Sequence, residues 1–350
     1  MLEKDLKVFI GPVEIANIGA ILASALEERG IRVTVVRIGM SPFSAGMKYD
    51  KVFDSQGLGK LQMILKYLYH LPKLFLQHDV FIFLFGTSLL PYNLDLPILK
   101  LFHKKAIMWF LGDDIRHYES LEVAANKAGI KHFVGADRGA GASALKKKLR
   151  MIRMVEKYAD YVISYPDISQ LLTREYCTIF IPMDVCNIRY NNAPNLRPGV
   201  VHAPSDEKMK GTSYVLEAAE RLKKEGYDFE FYLLRNTSNT EVRETLSEAD
   251  IAVDQLFADA AGAFAIESMA AGCAVLGGNI PEFSRCPKEL PVVHTDPDNV
   301  YQNLKMLLDN PELRRELGEK GRKYVEKYHD SRKIASEFVK LLTRNKPGQD

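Results

Sequence analysis

The sequence predicts an α/β protein of two domains, each built on a doubly wound, Rossmann-like parallel sheet. Its 350 residues exceed a typical single domain and suit two domains of about 150–190 residues. Apolar strand-like runs alternate with amphipathic helix-like runs in both halves, which is the pattern of parallel sheets covered by helices. The turn-rich stretch NNAPNLRPG, Asn191 to Gly199, separates the halves. The predicted domains are therefore 1–190 and 191–350.

The first half opens with a strand–helix–strand unit: LKVFIG, then IANIGAILASALEERG ending at Gly30, then RVTVVRIG. The intervening loop, Gly11-Pro12-Val13-Glu14, lacks the GxGxxG spacing, which disfavours a dinucleotide cofactor and a dehydrogenase. The other predicted elements of this half are a helix at 60–71 that Pro72 interrupts, strands at 79–85 and 105–110, and a basic helix at 143–158.

The second half repeats the alternation of strands and helices. The strand GVVHAPS precedes a helix from Thr212 to Glu225, followed by the strands FEFYLLR and ADIAVDQ. Ser238-Asn239-Thr240-Glu241 is a capping box, so a short helix is predicted to begin at Ser238. Helices rich in Leu, Arg, Glu and Lys close the chain.

Composition indicates an ordinary globular protein, with 47% hydrophobic and 26% charged residues. A net charge of +2 argues against a dedicated nucleic-acid binder. The charge is uneven, since residues 1–185 hold 24 basic and 19 acidic side chains and residues 186–350 hold 23 and 26. This asymmetry fits an N-terminal domain that meets an anionic acceptor or a membrane surface. The four cysteines show no CxxC pair and no zinc-ligand spacing, so no metal site is predicted.

The most informative stretch runs from Ala258 to Glu267 and continues as SMAAGCAVLGGNIPEF. It predicts a loop, a helix that ends at Gly272, and an apolar strand. Amides at a helix N-terminus bind phosphate, and Glu267, more than one turn inside, suits the hydroxyls of a ribose. Asp259, ahead of the helix, could reach a sugar beyond the phosphates. The segment is thus predicted to clamp a nucleotide sugar; the alternative is an ordinary helix with one solvated glutamate.

This stretch resembles the acidic-x7-acidic signature of retaining GT-B glycosyltransferases, glycosyltransferase family four in particular. The glycine at Gly262 and the second acid at Glu267 match, while Asp259 stands where the family usually has glutamate. The resemblance covers nearly the whole chain and is stronger in the second half. It implies two Rossmann-like domains that face each other across a cleft, with the last helix crossing back to the first domain.

Two further stretches resemble the same family. In HAPSDEKMKGTSY, Lys210-Gly211 match a Lys-Gly pair that neutralises the donor diphosphate, while Ser205 stands at the family's arginine with His202 and Lys208 nearby. LGDDIR resembles a His-Gly-Ser-Asp-Ile-Arg turn, but Leu111 replaces the histidine. Asp113 or Asp114 could face the acceptor; the alternative is a structural Asp114–Arg116 pair that caps the next helix.

The resemblance implies a retaining, hexosyl-transferring enzyme of polysaccharide biosynthesis, whose donor is a nucleoside-diphosphate sugar and whose acceptor is a glycan or a lipid-linked molecule. It implies no metal ion and no cofactor. The implied residues are Glu267, Gly262, Ala263, Phe264, Ser205, Lys210 and Gly11 for donor binding, and Asp259, Lys210 and Asp114 for catalysis. Two alternatives remain open: a degenerate GT-B protein that binds nucleotide or a partner without transfer, and a nucleotide-sugar 2-epimerase.

A cytoplasmic location is predicted. The start, MLEKDLKVFIG, lacks the layout of a signal peptide, and the apolar run from Val80 to Leu90 is too short to span a bilayer. The segments 60–76 and 144–157 combine lysines and arginines with apolar side chains, as helices that lie on anionic membranes do. A peripheral position on the inner membrane face is therefore one hypothesis. The other is that the apolar faces pack in the domain core and the lysines are solvated.

Overall fold

The chain folds into two compact α/β units. The computed structural model describes residues 6–39, 49–53, 60–127, 131–132, 142–165, 168–191, 193, 195–257, 260–279 and 289–343. The first unit takes its residues from Met1–His117, Gly139–Pro182 and Ser331–Asp350, and the second from Tyr118–Arg138 and Met183–Asp330.

The first unit holds a six-stranded sheet in the order β3-β2-β1-β4-β5-β6, with every neighbouring pair parallel. Its strands are β1 (Lys7–Ile10), β2 (Arg32–Ile38), β3 (Lys51–Phe53), β4 (Val80–Leu84), β5 (Lys105–Trp109) and β6 (Tyr161–Ile163). Its helices are α1 (Ile18–Glu27), α2 (Lys60–Gln77), α3 (Leu96–Leu101), α5 (Ala142–Tyr158) and α12 (Ser331–Thr343).

Both faces of this sheet are buried, as the continuous apolar strands predict. Because strand side chains alternate, Ile82 and Leu84 of β4 face one core together with residues of α1 and α12. Phe81 and Phe83 face the opposite core, with residues of α2, α3 and α5. The closing helix α12 belongs to the first core, where the Phe338 ring lies 5.1 Å from that of Trp109.

Helix α2 runs through Pro72 to Gln77, so the prediction that Pro72 interrupts it was wrong. A proline inside a helix costs about 3 kcal/mol. The helix buries Tyr67 and Leu74 on either side of the proline, and burying each large apolar side chain contributes about 1.5–3 kcal/mol. Tertiary packing therefore outweighs the local defect. Helix α1 begins at Ile18, three residues later than predicted, since Asn17 before it has a left-handed backbone (φ 61°).

The second unit holds a five-stranded parallel sheet in the order β11-β10-β9-β7-β8. Its strands are β7 (Gly199–His202), β8 (Glu230–Leu233), β9 (Ile251–Val253), β10 (Ala274–Gly277) and β11 (Val292–His294). Its helices are α4 (Tyr118–Lys127), α6 (Glu207–Lys210), α7 (Thr212–Lys224), α8 (Asn239–Leu246), α9 (Ala263–Ala271), α10 (Val300–Asp309) and α11 (Pro311–Tyr328). The predicted cap of α8 is confirmed, because the Ser238 hydroxyl accepts a hydrogen bond from the Glu241 amide at 3.3 Å.

The turn-rich stretch at 191–199 is held against the second unit. The Asn191 amide donates to the Ala271 carbonyl at 2.9 Å, and the Asn195 side chain donates to Asp250 at 2.9 Å. The chain enters this unit between Pro182 and Met183. None of the described helices is long and apolar enough to cross a lipid bilayer.

Candidate functional site

The candidate site lies at the carboxyl ends of the second unit's central strands. Ligands of parallel α/β sheets bind at this edge, outside the strand ends. Strand β7 ends at His202, β9 ends at Val253 and is followed by Asp254, and α9 begins beside them with Gly262 as its N-cap. Helix α6 follows β7 and brings Lys210 to the same edge. The fold thus gathers residues separated by about sixty positions in sequence.

Lys210 forms a buried ion pair with Asp254, which sequence analysis did not single out. The pair is 7% and 0% exposed, so neither charge is screened by water. The second oxygen of Asp254 accepts the Gly262 amide at 3.0 Å. One carboxylate therefore ties a cation to the N-terminus of α9. The Lys210 ammonium also lies 5.6 Å from the centre of the Phe264 ring, above the first turn of that helix.

The amides predicted to bind phosphate are not equivalent. That of Gly262 is occupied by Asp254, and a Cβ at this position would lie 3.0 Å from the same carboxylate oxygen, which explains the glycine. The first N–H groups of a helix have no acceptor within the helix. The Gly262 amide is therefore not available to a ligand, and phosphate binding by the amides of Ala263 and Phe264 stays a prediction.

Glu267 lies one turn further along α9 and is held by helix α8. Its Oε1 accepts from Asn239 Nδ2 at 2.9 Å, from Arg243 Nε at 3.3 Å and from Arg243 Nη2 at 3.2 Å. The Glu267 side chain is 13% exposed, so the alternative of a solvated glutamate is not what the structure has. Neither partner is predicted from the sequence. Their i, i+4 spacing indicates a shared helix face, but no sequence signal identifies the carboxylate opposite.

His202 does not replace the missing arginine as a cation. Its ring is fully buried, and burial lowers its pKa from 6.5 to about 4. Nδ1 donates to the Val253 carbonyl at 2.8 Å, because a carbonyl can only accept; Nε2 therefore accepts from the Thr212 hydroxyl at 3.0 Å. Ser205 and Lys208 are exposed on the segment that follows β7. The buried positive charge at this edge is that of Lys210.

Gln255, the residue after Asp254, contacts the backbone shortly before α9. The Gln255 side chain donates to the Ala260 carbonyl at 2.7 Å. Asp254 and Gln255 end the predicted strand ADIAVDQ. Their polar contacts are with Gly262 and Ala260, which come near them only in the folded chain. Asp259 lies outside the described residues, so its predicted contact with the donor sugar stays a prediction.

The predicted acceptor residue Asp114 lies in the first unit, in the turn after β5. It is 9% exposed and accepts the Gly112 amide at 2.8 Å and the Leu111 amide at 3.2 Å. Burial raises the pKa of Asp114 to about 6, against those amides and the nearby charge of Lys148. Arg116 forms an ion pair with Asp113 at 3.4 Å, and the alternative of a structural Asp114–Arg116 pair stays a prediction.

Gly11 lies after β1, where the backbone passes close to β2. Its φ is +136°, and a Cβ there would lie 2.1 Å from the Val36 carbonyl oxygen. Its amide already donates to the Ile82 carbonyl at 3.1 Å, so it offers no N–H to a donor. The nearby Glu14, which sequence analysis did not assign, accepts the amides of Gly19 and Ala20 at 3.0 and 3.1 Å and thereby fills the N-terminus of α1.

Metal-ligand chemistry is sparse in the part of the chain that the structure describes: it contains no group of three or more His, Cys, Asp or Glu side chains that could hold a metal ion. The charged groups of the candidate site are Lys210, Asp254, Glu267 and Arg243, and they form two ion pairs. These pairs flank the first two turns of α9.

Comparison with known proteins gives a family match within the second half of the chain and a similar fold for the whole chain. Residues 213–340 match a family described as glycosyl transferase-like. No curated protein matches the sequence. Sucrose-phosphate synthase from Thermosynechococcus elongatus has a similar structure, with a TM-score of 0.67, 15% identity, and coverage of 96% of this chain and 98% of that one.

Two other solved structures are similar over their full lengths. Anabaena HepE in complex with UDP-glucose has a TM-score of 0.64 and 11% identity, and covers 97% of this chain and 99% of that one. WaaG, a glycosyltransferase involved in lipopolysaccharide biosynthesis, has a TM-score of 0.58 and 15% identity, with 97% and 100% covered. The predicted fold of two parallel-sheet domains and the predicted resemblance are confirmed.

Proposed function

We propose that this chain, a glycosyltransferase of the GT-B type, moves a sugar from a nucleoside-diphosphate sugar to a glycan or lipid-linked acceptor and retains the anomeric configuration. The proposal needs no metal ion and no cofactor. The observation that carries it is the arrangement on α9: a buried cation, Lys210, beside the helix N-terminus, and the carboxylate of Glu267 one turn further along.

This arrangement fits the charge that develops when a sugar–phosphate bond breaks. The leaving diphosphate gains negative charge, which free amides and a nearby ammonium stabilise without reorganising. In the proposal, the phosphates lie on the amides of Ala263 and Phe264, and Lys210 supplies the positive charge. Glu267 lies about five residues past the N-cap, or about 7 Å along the helix. It is thus offset from the phosphates toward the nucleoside, where it would accept the ribose hydroxyls.

Asp259 and Asp114 complete the proposal as the residues at the donor sugar and the acceptor. Asp114 holds its own turn through the amides of Leu111 and Gly112, which supports a role in shaping the acceptor-binding turn. Burial raises its pKa to about 6, so its carboxylate is ionised at neutral pH and could accept a hydroxyl proton.

Binding assays followed by turnover assays test this function. Isothermal titration with UDP- and GDP-sugars should show binding, and a hydrolysis or transfer assay should then show turnover. Binding without turnover would favour the degenerate protein; interconversion of the donor sugar would favour the 2-epimerase. The comparisons favour neither alternative. Absence of any nucleotide-sugar binding would overturn the proposed function.

Glu267→Ala isolates the ribose contact. Leaving hydroxyl partners unpaired costs about 1–3 kcal/mol, so donor affinity should fall about ten- to hundredfold. Glu217→Ala, on the surface of α7, is the matched control and should bind like the unchanged protein. Undiminished donor affinity in folded Glu267→Ala would contradict the assignment of the ribose to this carboxylate.

We place the acceptor at an anionic membrane surface, on the cytoplasmic face. The structure changes which residues would carry this contact: Tyr67 and Leu74 of α2 pack inward, while other apolar side chains face outward. The Phe75 and Phe102 rings are 5.4 Å apart, which joins α2 to the end of α3. The exposed apolar side chains of this layer include Leu65, Leu68, Tyr69 and Leu76 on α2 and Leu101 and Phe102 at α3.

Basic side chains of α5 stand on the same face of the sheet and suit anionic lipid headgroups, at about 1 kcal/mol each. Lys148 is not among them, because its ammonium donates to the Arg116 carbonyl at 2.6 Å. Lys146→Glu/Lys147→Glu should therefore abolish co-sedimentation with vesicles containing anionic lipid at low salt. The control, Lys223→Glu/Lys224→Glu on α7, makes the same charge change in the second unit. No vesicle binding by the unchanged protein would favour a soluble acceptor.

A further inference from the structure

Helix α8 holds one oxygen of Glu267 and leaves the other available. Asn239 and Arg243 are one helical turn apart and so lie on the same face of α8. Three N–H donors from these two side chains converge on Oε1, at 2.9, 3.2 and 3.3 Å. Among the described residues, the hydrogen bonds of the Glu267 carboxylate all go to that oxygen. Oε2 keeps its acceptor capacity.

The geometry differs from the usual pairing of arginine with a carboxylate. A guanidinium normally takes both oxygens of a carboxylate, one with each N–H. Here Nε and Nη2 of Arg243 both point at Oε1. The Arg243 and Glu267 side chains are 20% and 13% exposed, so water competes little for this contact. An ion pair that served stability alone would be expected to use both oxygens, whereas this one leaves Oε2 of Glu267 without a contact from Arg243.

Fixing a glutamate carboxylate matters for recognition because its side chain has several freely rotating bonds. Ordering such a side chain costs conformational entropy. When the protein orders it in advance, ligand binding does not bear that cost. A carboxylate oxygen has two lone pairs and can accept both hydroxyls of a ribose. A site built this way separates ribonucleotides from deoxyribonucleotides.

We propose that Asn239 and Arg243 are positioning residues that fix Glu267 so that Oε2 selects a ribose over a deoxyribose in the nucleotide. This inference rests on the proposed function of α9 as a nucleotide-sugar site. It assigns sugar selectivity to α8, a helix that supplies no ligand contact of its own in the proposal.

The test compares the affinities of UDP and GDP with those of their 2′-deoxy counterparts by isothermal titration. The unchanged protein should prefer the ribonucleotide at least tenfold. Asn239→Ala/Arg243→Met should reduce that preference to below threefold, mainly by weakening the ribonucleotide. Arg243→Lys, which restores a cation to Oε1, should recover part of the preference. If the two side chains only supported the fold, the variant would lose affinity for both nucleotides equally, and the ratio of the two affinities would stay unchanged.

A control variant and a milder single variant separate loss of ribose selectivity from loss of folding. Arg221→Met removes an arginine that pairs with Glu225 on the exposed side of α7 and should leave the ratio unchanged. If the double variant fails to fold by circular dichroism, Asn239→Ala alone, which removes a neutral side chain, should still lower the preference by about threefold. A full preference in a folded variant would overturn the inference and leave the proposed function standing. Absence of nucleotide binding in the unchanged protein would overturn both.

Discussion

Acid should destabilise the second unit through His202. The imidazole is fully buried between Val253 and Thr212, and burial lowers its pKa from 6.5 to about 4. The nearby Lys210 charge acts in the same direction, while the hydrogen bond to the Val253 carbonyl opposes it. The unfolded chain therefore binds a proton between pH 6.5 and pH 4 that the folded chain does not. Folding stability falls as pH drops through this window.

The magnitude follows from the shift. Each pKa unit corresponds to 1.36 kcal/mol, so a shift from 6.5 to about 4 amounts to about 3 kcal/mol. The His202 side chain has no exposed surface, so solvent screening does not reduce this figure. Protonation at Nε2 would also end the hydrogen bond that it accepts from Thr212. A loss of about 3 kcal/mol is a large part of the 5–15 kcal/mol that folded domains possess.

His202→Asn isolates the effect, since an asparagine amide can still donate to the Val253 carbonyl and does not titrate. Hydrogen exchange of peptides from β7 and α7, compared at equal pH, reports the opening of the second unit alone. The stability difference between the original protein and the variant should shift by about 3 kcal/mol in favour of the variant from pH 7 to pH 4. His103→Asn, at an exposed site, is the control. A pH-independent difference for His202→Asn would refute the assignment of a buried neutral imidazole.

Three further predictions concern charged groups. Lys210→Met/Asp254→Asn removes both members of the buried ion pair. In calorimetric titrations, the affinity for UDP or GDP should fall at least tenfold and the affinity for the free nucleoside less than threefold. Equal losses of affinity would contradict a diphosphate contact. Burial raises the pKa of Glu14 to about 7, above its unfolded value, so stability should fall as pH rises from 4.5 to 7, and thermal unfolding of Glu14→Gln should lack that fall. Transfer activity should drop as pH falls through about 6, the pKa of Asp114, and a folded Asp114→Asn variant that keeps this acidic limb would exclude the residue as its source.

The sequence was sufficient for the fold because parallel sheets buried on both faces require continuous apolar strands, which alternate visibly with amphipathic helices. It was also sufficient for the cap at Ser238, which depends on residues three positions apart. It failed at Pro72, since a local preference of about 3 kcal/mol is outweighed by the burial of Tyr67 and Leu74, which the local rule does not count.

The sequence by itself determined that α9 begins after Gly262 and carries Glu267 on its second turn, because both follow from helix periodicity and a glycine N-cap. Only the tertiary structure decided what holds these groups. Asp254 contacts Lys210, 44 positions earlier, and also Gly262. Glu267 accepts hydrogen bonds from Asn239 and Arg243, which lie 28 and 24 positions before it. Such contacts depend on strand order and on where loops return to the sheet edge. Local periodicity carries no information about either, so these partners became visible only once the chain was folded.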